Sequence, residues 1–208
     1  MMRAADFRAA AVSFSLLVAP RLLFPAAAWA QTRYMWQGAG TNGITSTDPN
    51  DPNTQWAEPN NWLGGVLPSG GTVRLEWTNP GSVYAASATV DVLLVYPWYY
   101  ATAALVISDD VVLQVDGQIR IYGSFDGGGV IQTGGSMSAD WGTIGSHLWS
   151  AQYAQSGGTA SFRDGMAVRG PNGSTYQLSG GVLEAKECIL EVPSAGMTSW
   201  SQMGAVQQ

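Results

Sequence analysis

The chain repeats itself every 23 residues between positions 130 and 208. The glycine pair Gly134-Gly135 recurs as Gly157-Gly158 and as Gly180-Gly181, and Gly204 falls 23 residues after the last of these. A fixed period of this length indicates a solenoid, in which each repeat is one coil that buries its apolar face against its neighbours. The glycine pairs are predicted to form one corner of every coil, because glycine adopts positive φ without steric cost.

The residues in register across the repeat indicate strands rather than helices. Two apolar columns, spaced two positions apart, are formed by Met137, Ala160 and Leu183 and by Ala139, Phe162 and Ala185. This alternation is that of a half-buried β-strand, and the abundant glycine, serine and threonine disfavour a helix. Two polar columns, Gln132 with Gln155 and Thr133 with Ser156 and Ser179, are predicted to form stacked side-chain ladders. We therefore predict an all-β fold, a right-handed parallel β-helix with 23-residue coils and an irregular N-terminal cap.

Two stretches of the repeat carry a family resemblance. Residues 153–162 (YAQSGGTASF) and 176–185 (YQLSGGVLEA) resemble the Y-x-L/Q-S-G-G-x-L/V repeats of bacterial autotransporter-type and PEP-CTERM-associated passenger proteins. The resemblance covers the chain from residue 130 onward, and residues 35–77 are weakly similar to the N-terminal region of such proteins. It implies a secreted or surface-anchored β-helix with a structural or adhesive role. It carries over no catalytic residue, because the motif contains none.

The first 30 residues have the pattern of a secretory signal peptide. Arg3 and Arg8 precede the apolar run 9–19, and the small-x-small sequence at 28–30 predicts cleavage after residue 30. The alternative is an uncleaved membrane anchor, but Arg21 interrupts the run before it reaches the length of a spanning helix. We therefore expect a secreted or cell-surface protein whose mature chain has no membrane span.

The chain is predicted to have four parts. They are a signal peptide at 1–30, a loop-rich N-terminal cap at 31–70, irregular early β coils at 71–129 and regular repeats at 130–208. Taken alone, the third part also fits an antiparallel sandwich, although its continuous apolar runs favour parallel strands buried on both faces. The last copy of the repeat is incomplete, so we expect the chain to be a fragment of a longer array. Its final coil would then present an open edge and associate end to end with another molecule.

The charge balance argues against two classes of partner. After residue 30 the chain carries six basic and fourteen acidic residues. Nucleic acids and anionic membranes are bound mainly by clustered Lys and Arg, so neither is expected as a partner. The one cysteine, Cys188, allows no internal disulfide. It is expected to be a small buried residue in the column of Gly142 and Gly165.

Aromatic residues suggest one candidate binding surface. Trp98, Tyr99 and Tyr100, with Tyr96, form the densest aromatic cluster, which either stacks on sugar rings or partner surfaces or folds over the core as a loop. A second group of aromatics, Trp36, Trp56 and Trp62, is predicted to form a hydrophobic lid over the first coil rather than a sugar-binding surface.

Carboxylates suggest weaker candidates. Asp48 and Asp51 lie in a double Asp-Pro-Asn run that is either a calcium loop or, as we expect, a solvated turn. A glycosidase or lyase site would draw on Asp109, Asp110, Asp116 and Asp126, with Arg120 as the nearby basic residue. A nucleophilic triad would have to use His147, the only histidine.

These observations predict a non-catalytic, structural or adhesin-like passenger module without a cofactor. The alternative is an extracellular β-helix that binds or cleaves polysaccharide. The expected partners are extracellular polysaccharide or surface proteins.

Overall fold

The computed structural model describes residues 32–38, 46–77, 81–97, 104–123, 129–146, 150–170, 173–191, 199–202 and 206–207. The predicted signal peptide lies outside the described residues, as do the candidates Trp98, Tyr99, Tyr100, Asp126, His147 and Gly204. Among the described residues, no helix is long and apolar enough to cross a membrane.

Sixteen strands and two 3-10 turns make up the described part of the chain. The strands are β1 (Arg33–Met35), β2 (Thr72–Trp77), β3 (Ser82–Tyr84), β4 (Ala88–Val90), β5 (Val92–Pro97), β6 (Ala104–Ile107), β7 (Val112–Ile121), β8 (Gly129–Gln132), β9 (Ser136–Ile144), β10 (Gln152–Gln155), β11 (Thr159–Arg169), β12 (Thr175–Leu178), β13 (Val182–Ala185), β14 (Cys188–Glu191), β15 (Ser199–Gln202) and β16 (Val206–Gln207). The 3-10 turns are Pro52–Thr54 and Pro59–Asn61.

The strands stack as a parallel β-solenoid with coils of about 23 residues, which confirms the predicted fold class. Each full coil contributes one strand to a six-stranded sheet and one longer strand, or two short ones, to a ten-stranded sheet. Every pairing between named strands is parallel, including β2 with β5, β3 with β6 and β4 with β7. The antiparallel sandwich is therefore the wrong alternative for residues 71–129.

The apolar columns point inward as predicted. Met137, Ala160 and Leu183 are in register and almost fully buried. Ala139 and Phe162 are buried below them, and Ala185 packs against the same core. Phe162 fits because the preceding coil has Gly142 beneath its ring, where a Cβ would lie 2.5 Å from Phe162 Cε1.

The glycine pairs form the predicted corner. Gly135, Gly158 and Gly181 have φ of 60°, 70° and 85°, a region that L side chains rarely adopt. A Cβ on Gly158 would also lie 2.3 Å from the carbonyl oxygens of Gly134 and Gly135 in the preceding coil. The corner therefore needs glycine both for its φ and for the close approach of successive coils.

A buried polar ladder runs along the six-stranded sheet beside this corner. Gln132 and Gln155 are buried, and the Nε2 of each donates to carbonyl oxygens of its own glycine corner and of the next coil. Each Oε1 accepts from the tyrosine of the next coil, Tyr153 or Tyr176. The two rings stack with centroids 4.8 Å apart. The predicted glutamine ladder is thus joined by tyrosines, which the sequence analysis did not include in it. By contrast, the hydroxyls of Thr133 and Ser179 donate to backbone carbonyls of the preceding coil.

The prediction for Cys188 is wrong in two respects. Its register partner is Met166, which in turn pairs with Gly142, so Gly165 does not belong to the column. The 23-residue count fails here because β11 contains a bulge between Phe162 and Gly165. Cys188 is also exposed rather than buried. Cys188 follows the buried Met166 in its column, but no described residue of the next coil covers it.

The three tryptophans of the N-terminal segment form a buried cluster, as predicted. Trp36 and Trp56 both contact Trp62 edge to face, with ring centroids 5.1 and 4.9 Å apart. The Trp62 indole N–H donates to the Trp56 carbonyl at 2.8 Å, so the fully buried ring has no unpaired polar atom. The same segment also contributes β1, which pairs with β2 and extends the ten-stranded sheet.

Candidate functional site

Two bulges shape the outer surface of the ten-stranded sheet. In β7, Asp116 and Gly117 lie opposite the single residue Asp140 of β9, and in β11 Arg163 and Asp164 lie opposite the same residue. A bulge bends a strand and redirects the side chains next to it. The two bulged strands therefore bring charged side chains of three successive coils together around Asp140.

An open groove of about 320 Å³ lies at this bend. Six polar side chains line it and define what we call the strand-bend groove: Gln114, Asp116, Ser138, Asp140, Ser161 and Arg163. The two serines are direct register partners on β9 and β11. The groove thus spans three coils and presents an amide, two hydroxyls, two carboxylates and a guanidinium.

Ion pairs and hydrogen bonds hold the charged groups of the groove in place. Arg163 Nη2 lies 2.8 Å from Asp140 Oδ1, and its Nε lies 3.9 Å from Asp164 Oδ1. The Gln114 amide donates to Asp116 Oδ1 at 2.6 Å within β7. Because the Arg163 side chain is 73% exposed, these pairs are worth little to stability, at most about 1 kcal/mol each. Their groups can exchange these partners for a ligand at small cost.

The groove suits a ligand with many hydroxyl groups. Serine hydroxyls donate and accept, the amide does both, and carboxylates accept from sugar hydroxyls. The groove lies open along the sheet, so an extended chain can lie across successive coils. Within the part of the chain that the structure describes, no three His, Cys, Asp or Glu side chains are grouped to hold a metal ion.

The predicted calcium candidates act as turn formers. Asp48 Oδ1 accepts from the backbone and side-chain N–H groups of Asn50, and Asp51 Oδ1 accepts from those of Asn53 at 2.9 Å. Asp51 also caps the first 3-10 turn, and the backbone hydrogen bond from Asn53 lowers the pKa of its carboxyl group.

The structure separates the carboxylates proposed for an enzymatic site. Asp109 and Asp110 lie exposed on the turn before β7, and Asp109 packs against the Gly134 corner. Asp116 lies further along β7, in the strand-bend groove. Arg120 contacts none of the three through an ion pair within the described ranges, since its guanidinium binds the side-chain amide oxygen of Gln118.

Part of the predicted aromatic surface is described. Tyr96 is partly exposed on β5 and packs against Tyr122, with ring centroids 4.6 Å apart and ring planes inclined by 31°. The Arg74 guanidinium carbon lies 5.3 Å from the centroid of the Tyr96 ring. Sequence reasoning did not connect Arg74 or Tyr122 with this cluster. The signal that would have found them is the strand register, which places Tyr96 one coil after Glu76 and one coil before Tyr122.

Comparison with protein-family models, with curated proteins and with solved structures found no match to this chain. The resemblance to autotransporter-type and PEP-CTERM-associated repeats therefore stays a prediction from the sequence.

Proposed function

We propose that this chain is a non-catalytic solenoid module of a secreted or cell-surface protein, with a structural or adhesin-like role. The observation that carries the proposal is the buried ladder of Gln132, Gln155, Tyr153 and Tyr176, which joins successive coils through hydrogen bonds and stacked rings. Such a ladder gives a rigid column whose outer face is free to meet a partner. The signal-peptide pattern of residues 1–30 supports export.

Export and surface display can be tested together in a bacterial host. We expect the mature protein to begin at Gln31 by N-terminal sequencing, and intact cells to bind an antibody against the solenoid. The matched control is Ala28→Arg, which removes the small residue of the cleavage site and should leave the N-terminal segment attached. A chain that keeps its N-terminus and stays in the cytoplasm would contradict the proposal.

A second candidate function is the binding of an extracellular polysaccharide in the strand-bend groove. It is favoured by the hydroxyl column of Ser138 and Ser161, flanked by the Asp140–Arg163 pair. Affinity electrophoresis in gels that contain polysaccharide tests it. Asp140→Asn should weaken retardation, whereas Arg33→Gln, an exposed change on β1 of the same sheet, should not.

The same samples distinguish binding from cleavage. In the non-catalytic proposal, reducing ends do not accumulate when the chain is incubated with the polysaccharide that it binds. Accumulation that Asp116→Asn or Asp140→Asn abolishes would replace the proposal with a glycosidase or lyase.

A further inference from the structure

Two partly exposed tyrosines on the outer face of the ten-stranded sheet, Tyr96 and Tyr122, are in contact across successive coils. Val95 of β5 pairs with Ile121 of β7, and Tyr96 and Tyr122 are the next residues along each chain segment. Their rings are in contact. Arg74 lies over the other face of Tyr96. Arg74 belongs to the preceding coil and Tyr122 to the next, so Tyr96 lies between them; the register partner of Tyr96 in the preceding coil is Glu76, whose carboxylate pairs with Arg74.

The next position in the column has no side chain. Ile121 pairs with Ile144, so Gly145 follows Tyr122 in register, and the Gly145 N–H donates to the Ile121 carbonyl at 2.7 Å. Gly145 has a φ of +83°, and a Cβ there would lie within bonding distance of the Arg169 carbonyl oxygen, so the position requires glycine. The face of Tyr122 that points away from Tyr96 consequently receives no side chain from this column.

Arg120 of β7 lies two residues before Tyr122, which follows the end of that strand. Two residues along an extended chain span roughly 6.6 Å, so a guanidinium turned toward Tyr122 could reach the edge of a ring stacked on it. Arg120 Nε and Nη2 both donate to the Gln118 Oε1, at 3.0 and 2.7 Å. Arg74, Arg163 and Arg169, by contrast, pair with carboxylates, those of Glu76, Asp140 and Glu191. Gln118 precedes Arg120 and Tyr122 follows it, so the fork now pairs with a neutral oxygen on the side away from Tyr122 and must turn to meet a carboxylate beside the ring.

We infer that Tyr122 and Arg120, supported by Tyr96 and Arg74, form a subsite for a uronic acid residue of an acidic polysaccharide. The apolar face of the sugar ring would stack on Tyr122, and Arg120 would turn from Gln118 to pair with both oxygens of the sugar carboxylate. Arginine suits this role because its planar fork matches a carboxylate. We call these four residues the aromatic–arginine patch. The inference rests on the second proposed function, polysaccharide binding, but locates it outside the strand-bend groove.

The charge of the chain makes this patch distinctive. The chain has a net charge of −6 and nine basic residues, of which two face the same tyrosine pair. An anionic ligand is repelled by the molecule as a whole. At an ionic strength of about 0.15 M, however, charges more than about 8 Å apart are largely screened, so the charges at the patch itself decide the contact. These are Arg120, Arg74 and the Glu76 carboxylate that pairs with Arg74.

The test is calorimetric titration of the full chain at 0.15 M salt with three probes. They are oligomers of polygalacturonate, their methyl esters, and polyglutamate, which carries the same charge without sugar rings. We expect polygalacturonate to bind at least ten-fold more tightly than either of the other two, because only it offers both ring and carboxylate.

Variants then assign the site. Arg120→Gln should weaken polygalacturonate binding at least ten-fold and leave the binding of the methyl ester unchanged. Tyr122→Ala should weaken both, and Tyr122→Phe should weaken neither. The matched control is Arg163→Gln, which removes the arginine of the strand-bend groove. Circular dichroism checks that each variant is folded. If Tyr122→Ala does not fold, the result for Arg120→Gln alone tests the subsite.

Each alternative result has a definite meaning. If Arg163→Gln abolishes polygalacturonate binding and Arg120→Gln does not, the subsite is wrong while polysaccharide binding in the groove stands. If polyglutamate binds as tightly as polygalacturonate, the patch is a charge effect and the inference fails. If the chain binds dextran or cello-oligosaccharides but no polygalacturonate, the inference alone fails. If no polysaccharide binds, it fails together with the second proposed function.

Discussion

The buried tyrosine–glutamine ladder makes a sharp prediction about stability. In this ladder the Tyr176 hydroxyl donates to Gln155 Oε1, and both side chains are almost completely buried. Changing Tyr176 to Phe removes the donor and leaves the glutamine oxygen buried without it. Changing Gln155 to Leu leaves the tyrosine hydroxyl without its acceptor. Changing both removes the polar pair altogether.

The magnitude follows from what each change leaves unpaired. A buried polar group that has lost its partner costs about 1–3 kcal/mol, whereas replacing both partners by apolar groups of similar shape is nearly neutral. Leucine fits the glutamine column, because Leu178 is the register partner of Gln155 in the next coil. The Gly158 carbonyl that loses the glutamine amide still accepts from the Val182 N–H at 2.9 Å. The Gly157 and Val182 carbonyls lose the glutamine amide in Gln155→Leu and in the double variant alike. We therefore expect each single variant to lose about 1–3 kcal/mol, and the double variant to lose no more than Gln155→Leu alone.

Urea unfolding followed by far-UV circular dichroism measures these differences. The midpoint should fall in each single variant with the slope unchanged, which indicates a change in stability rather than in compactness. Tyr34→Phe is the control, because its exposed hydroxyl donates to the Ser69 carbonyl at 3.2 Å and its loss should cost no more than about 0.5 kcal/mol. Strictly additive losses in the double variant would refute the hydrogen bond as the source of the effect.

Three further predictions concern the same fold. Burial raises the pKa of the Tyr153 and Tyr176 phenols above the ordinary value of 10.0, so the folded state keeps protons that the unfolded chain releases. The free energy of unfolding should therefore keep the whole contribution of these two tyrosines below about pH 10 and lose it as the pH rises further. Phenolate absorbance should appear together with unfolding. Gly158→Ala should destabilise the fold far more than Gly64→Ala. Both glycines have positive φ, but only at Gly158 would the Cβ meet carbonyl oxygens. Thermal unfolding should show that the two variants differ in free energy of unfolding by more than about 1 kcal/mol. Gly142→Ala should clash with the Phe162 ring, reduce the free energy of unfolding by about 1–3 kcal/mol and so lower the melting temperature. Adding Phe162→Leu should recover part of the lost stability.

The regular part of the fold was predictable because every coil repeats the same physical problem. Met137, Ala160 and Leu183 recur in register, and their alternation with polar residues is sufficient to assign a strand and its buried face. The glycine corner was predictable for a similar reason, since paired glycines at a constant spacing mark a backbone conformation that other residues avoid. Both signals are local, and repetition removes their ambiguity.

What could not be predicted depends on small offsets within the coil. The bulges in β7 and β11 shift the register by one residue, which moves Cys188 from the column of Gly165 to that of Met166. A bulge carries no strong sequence signal, because Asp116-Gly117 and Arg163-Asp164 share no motif. The contact between Tyr96 and Tyr122 was missed because these residues are 26 positions apart rather than 23. The candidate sites lie at these irregular places, where the period no longer indicates which side chains meet.

The inner and outer faces of the solenoid differ in what a substitution should change. Inward columns and the tyrosine–glutamine ladder hold the coils together, so a change there alters the free energy of unfolding. Arg120 is exposed and hydrogen-bonds to the side-chain amide of Gln118, an arrangement that contributes little to folding. The Asp140–Arg163 pair is equally weak because it is open to solvent. A loss of ligand affinity on changing either arginine, without a change in unfolding midpoint, therefore measures a contact with the ligand itself.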